Sequence, residues 1–96
     1  MASSEFHIVL QFKTPEGFEP FGRFEVGRDH SQAESIFNNL KGNHECSFSD
    51  VLQIDLVESG NGLPKPLKMM SCSLQDIGEN CRIITRECFK YRNLEP

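Results

Sequence analysis

Two strand-like runs followed by a helix-like run occur twice in this chain, over residues 5–42 and again over residues 51–94, so the element order reads ββαββα. Two hairpins and two amphipathic helices of this length bury their apolar sides most economically in one way. That is a four-stranded, mainly antiparallel sheet with both helices on one face, an α+β two-layer sandwich. The 96 residues are read as a single domain, residues 1–96, made of the two ββα halves. A chain of this size buries roughly two thirds of its unfolded surface and needs no metal or disulfide staple.

The strands follow from period-two alternation. Phe6, Ile8, Leu10 and Phe12 alternate with His7, Val9, Gln11 and Lys13, which gives one buried and one wetter face. Thr14-Pro15-Glu16-Gly17 supplies a turn, and Phe24 and Val26 alternate with Arg23 and Glu25 in a second strand. Pro20 removes a ladder donor, so that strand should start irregularly or lie at a sheet edge. Leu52, Ile54 and Leu56 alternate with Gln53 and Asp55 in a third strand. Ser59-Gly60-Asn61-Gly62 then turns the chain towards a fourth over Leu67–Ser73, expected to start late because of Pro64 and Pro66. The sheet face without helices would carry Val9, Val51 and Val57 among Gln11, Gln53 and Asp55. That mixture is too polar for a large core and suits a modest dimer contact.

The first helix is expected to open on a Ser31–Glu34 capping box, to bury Ala33, Ile36, Phe37 and Leu40 at helical spacing, and to close at Gly42. Residues 43–50 are polar and aperiodic and read as a loop. Ser73 and Asp76 cap the second helix, whose seam is Leu74, Ile77, Cys81, Ile84, Cys88 and Tyr91. Gly78 weakens its first turns by about 1 kcal/mol relative to Ala.

Charge and cysteine placement narrow the function classes. The net charge is −4: residues 1–50 carry four basic and eight acidic side chains, and residues 51–96 carry six of each. An acidic surface discourages non-specific nucleic-acid binding, although residues 65–92 are locally basic. No apolar run approaches the ~18 residues of a membrane helix, and Met1–Glu5 lacks a basic leader region, so the expected compartment is the cytoplasm and no membrane partner is expected. Cys81 and Cys88 on one helix would stand ~10.5 Å apart, beyond the reach of a bridge, so all four cysteines are read as reduced, with no disulfide.

Several constellations of residues bear on chemistry. His44-Glu45-Cys46 with Asp50 offers metal-ligand atoms but has no second pair to complete a site, so no metal and no cofactor is assigned. Cys72, ahead of a helix N-terminus, is a conceivable nucleophile that lacks a base nearby in sequence. Gly60-Asn61-Gly62 lacks the remaining parts of a phosphate loop and is explained by the turn. Phe18, Phe21 and Phe48 near turns would line a pocket at one end or form satellite core. On the second helix Arg82, Arg86 and Lys90 form a stripe bracketed by Ile83 and Phe89, a mixed face fit for an acidic protein surface or, in the plainer account, for solvent.

Asn61-Gly62-Leu63-Pro64 through Cys81-Arg82-Ile83-Ile84-Thr85-Arg86-Glu87 resembles small hypothetical proteins of the Bacteroidetes. The resemblance implies a bacterial, cytoplasmic origin and transfers no activity and no site residue. The expected function is a small binding or protein-interaction module that works through a protein partner or self-association. Its contact would be the Arg82, Ile83, Arg86, Phe89 and Lys90 face or an exposed sheet edge, with no catalytic residue assigned. The alternatives are a thiol-dependent or small-ligand enzyme using Cys72 or the Phe-lined end, and an accessory nucleic-acid-binding protein.

Overall fold

A computed structural model describes residues 4–43, 51–60 and 62–91, the last by its backbone alone. Its elements are β1 (Glu5–Thr14), β2 (Gly17–Gly27), α1 (His30–Asn38), β3 (Leu52–Ser59), β4 (Lys65–Cys72) and α2 (Leu74–Tyr91). The sheet order is β2-β1-β3-β4 and every neighbouring pair is antiparallel, so the chain has the α+β ββαββα architecture expected of it.

Register explains the core. Ile8 stands opposite Phe24 on one side and Leu56 on the other, and Ile54 stands between Leu10 and Met70. These side chains share the face on which Ala33, Ile36 and Phe37 of α1, Leu40 just beyond it, and Ile77, Ile83 and Ile84 of α2 pack into one cluster. Each such buried side chain contributes roughly 1.5–3 kcal/mol through the hydrophobic effect. The first hairpin closes as its turn residues predict: Gly17 sits at φ +121°, where a Cβ would be strained, and the Thr14 hydroxyl donates to the Gly17 carbonyl at 2.8 Å.

Three boundaries depart from expectation. The α1 N-cap is Asp29, not Ser31; its carboxylate accepts from Gln32 N at 3.2 Å, and the helix ends at Asn38 with Asn39 as C-cap, short of Gly42. Asp is as good a cap as Ser and precedes it, so the helix starts where the first acceptor allows. β4 starts at Lys65, ahead of Pro66, because as an outer strand it tolerates a residue without an N–H, at the cost of a register shift between Leu56 and Val57. On α2 the buried face is rotated from the expected seam. Leu74 is 79% exposed, whereas Asn80 and Ile83 are buried beside Ile77 and Ile84; the Tyr91 side chain lies outside the described residues. The α2 capping box does form: Ser73 N donates to Asp76 Oδ2 at 3.1 Å and Asp76 N to Ser73 Oγ at 3.0 Å. Among the described residues no helix is long and apolar enough to cross a membrane.

Candidate interaction surfaces

The outer face of α2 presents Arg82, Arg86 and Lys90 to water, but each already has an acidic neighbour. Arg82 Nη2 donates to Glu79 Oε1 at 2.7 Å, while Arg86 and Lys90 reach the same Glu87 carboxylate at 3.8 and 3.4 Å. Such pairs are worth at most about 1 kcal/mol each, yet they cancel most of the local positive charge that an acidic partner would read. Ile83, expected to flank the stripe as an anchor, is instead 5% exposed and part of the core. It lies one residue before the fully buried Ile84, and a helix packed across a sheet buries both sides of its central line. Phe89 remains in water as expected.

The β4 side of the sheet is occupied by the chain itself. Asn43 N donates to Ser71 O and Ser71 N to Asn43 O, both at 2.8 Å, so one antiparallel bridge occupies the outer strand at Ser71. Beside it the buried Asn80 amide accepts from Lys41 N at 2.6 Å and donates to Lys41 O at 2.8 Å. Gly42 fits between because it has no side chain: a Cβ there would stand 2.7 Å from Met70 Sδ and from Ser71 O. Cys72 belongs to this cluster. Its thiol donates to Lys41 O at 3.4 Å, and the Asn80 amide donates to its sulfur at 3.6 Å. His7 lies on the other sheet face, and His30 stacks on Phe6 at 5.4 Å, at the end of β1 remote from Cys72. Neither supplies the base that a thiol nucleophile requires. His44, Glu45, Cys46, Phe48 and Asp50 lie outside the described residues.

On the sheet face away from the helices, Asp55 is buried and accepts from Gln11 Nε2 at 2.6 Å and Gln53 Nε2 at 2.9 Å. Burial pushes its carboxyl above the ordinary value, against the pull of the Gln53 and Gln11 hydrogen bonds. His7, opposite Val57 and Glu25, is 4% exposed, and its Nδ1 is buried without a hydrogen-bond partner. Burial holds its pKa below the ordinary value; Arg23 adds to that effect, and Glu25 and Glu5 oppose it. Sequence alternation places these residues on one face but does not disclose that His7 and Asp55 are buried there.

The β2 side is different in kind. Phe12 (37% exposed), Phe18 (38%) and Phe21 (49%) stand in water on the first hairpin, with Phe12 and Phe21 edge to face at 5.5 Å. Phe21 is the extra residue of a bulge, between Pro20 opposite Gln11 and Gly22 opposite Leu10, which frees it from the alternation and turns it outward. Further along, Arg23 Nε and Glu25 Oε2 form an exposed ion pair at 2.5 Å. The Cys88 thiol reaches the Glu25 carbonyl at 3.9 Å, where α2 meets the strand. The thiols of Cys72, Cys81 and Cys88 are all half-buried, and burial pushes that of Cys81 up. No family model, curated protein or solved structure matches the chain.

Proposed function

We propose that this chain is a small cytoplasmic protein-interaction module that acts through a protein partner or a second copy of itself, with the β1–β2 hairpin as its contact surface. The observation that carries this reading is the group of large aromatic side chains left in water there, Phe12, Phe18 and Phe21. Single exposed apolar residues are ordinary; Phe12 and Phe21, in edge-to-face contact on one hairpin with Phe18 exposed near its turn, form an aromatic surface of the kind that binding covers. The α2 stripe is the weaker surface because its cations have local partners.

The test uses the full chain as bait in cytosolic extract, together with sedimentation of the purified protein. Wild type should retain a protein or self-associate, and Phe21→Ser should weaken that contact by more than about tenfold, the loss expected of an aromatic anchor. Arg86→Glu should leave it within about twofold, as expected for a screened surface charge. A wild-type chain that retains nothing and stays single, or a contact indifferent to Phe21→Ser, would overturn the reading.

A further inference from the structure

Among the described residues β2 pairs with no strand but β1, so the backbone groups along its other side are not used within the sheet, while the Glu25 carbonyl receives the Cys88 thiol at 3.9 Å from α2. Proteins commonly guard such an edge with like charges, proline and bulges, which repel or obstruct a second strand. β2 has Pro20 and two bulges, at Phe21 and at Val26, but between them Gly22–Glu25 runs in unbroken register with β1. The charges within that run are of opposite sign. Arg23 and Glu25 lie on one face of the strand, either side of Phe24, and both side chains are 55% exposed.

We propose that this edge pairs antiparallel with the same edge of a second copy, about a two-fold axis through Phe24. The inference rests on the interaction-module reading and names its partner. In this register Arg23 of each copy stands opposite Glu25 of the other, so the Arg23–Glu25 pair that each copy already holds joins that of its partner in a cluster of four alternating charges, and Phe24 meets its own counterpart. Opposite charges directly across an antiparallel pair attract, and like charges there repel. A centre at Arg23 or at Glu25 would set like charges face to face. A centre at Phe21 would match Arg23 with Glu19, but it puts a bulge and a residue without an N–H in the middle of the ladder. An axis through a residue also preserves backbone pairing, because the alternate residues that point away from β1 then face their own kind. The regular run is short, so the contact is a weak one that forms at high protein concentration. The opposite outer strand has no equivalent surface at Ser71, which Asn43 already bridges.

Sedimentation velocity over a concentration series reads the mass directly. Wild type should pass from one chain to two as its concentration approaches ~1 mM, the range of a weak complex. Arg23→Glu and Glu25→Arg should each weaken association on the order of tenfold, because attractive pairs become repulsive. The two variants mixed in equal amounts should associate with one another as the wild type does, and so should the double exchange R23E/E25R. Circular dichroism confirms that each variant is folded, and recovery on mixing is not open to an unfolded chain. A wild type that remains single, or one whose association ignores both exchanges, would overturn the self-pairing. If the single chain still retains another protein through Phe21, the module reading survives and only the second copy falls; if it retains nothing, both fall.

Discussion

The two outer strands of the sheet are alike in topology and unlike in what borders them. β4 is bridged by Asn43, with Lys41 and Gly42 fitted against Asn80, Met70 and Cys72, whereas β2 carries exposed aromatic side chains and an ion pair in water. The difference shows how one sheet divides its work. At the Ser71 end of β4 the outer backbone groups are satisfied within the chain, so substitutions around that bridge act on folding. Side chains at an open edge are surplus to folding, so substitutions there act on what the protein touches.

The largest expected effect tests the sealed side. Asn80→Leu keeps the branched outline but strands the Lys41 N–H and leaves its C=O with the Cys72 thiol alone, and urea unfolding should show a loss of about 3 kcal/mol. A loss under about 1 kcal/mol would mean that water replaces the amide and that the seal is only apparent. A smaller effect concerns His7, beside Arg23 and Glu25 on the open side. Burial lowers its folded pKa beneath the ordinary 6.5, so as the pH falls the unfolded chain takes up the proton first. Stability from this group is complete above about pH 6.5 and is lost as the pH falls from there towards the folded value. Asp55, raised above its ordinary 3.8, works in the opposite direction: its stabilisation is present below that value and fades as the pH rises from there to the folded value. Unfolding free energies at about pH 7.5 and 5.5 should therefore fall for wild type and stay flatter for His7→Gln. Equal slopes in the two proteins would remove His7 from the account. The smallest effect is on the open edge: Phe21→Ser should change stability by about 0.5 kcal/mol or less while it weakens association. A loss of several kcal/mol would make Phe21 a core residue and erase the contrast between the strands.

Much of the fold was legible where one local rule applied. The alternation of Phe6, Ile8 and Leu10 and the spacing of Ala33, Ile36, Phe37 and Leu40 each set a row of side chains into the core, and Ser73 with Asp76 needs only three residues to form its cap. What escaped depends on distant partners. Asn80 reads as a polar helix position until the Lys41 backbone, 39 residues earlier, is brought against it. Ile83 and Arg82 look equally exposed on a helical projection that lacks the sheet beneath. Phe21 reads in sequence as a turn-proximal aromatic, but its outward aim comes from a bulge, and a bulge is a property of two strands in register. For the same reason the candidate contact moved from α2 to β2: the pairing of Arg82, Arg86 and Lys90 with Glu79 and Glu87 is visible only in three dimensions.

The Asn80 side chain takes both the N–H and the C=O of Lys41, as a neighbouring strand would. It is a peptide-shaped plug from the second half of the chain seated in the backbone of the first. Severing the molecule between its halves would therefore leave the first with two unanswered main-chain groups and the second with a buried amide facing nothing. The repeat visible in the sequence is a unit of pattern and not of autonomy: the β1–β3 ladder, the Asn43–Ser71 bridge and Asn80 each tie one ββα half to the other.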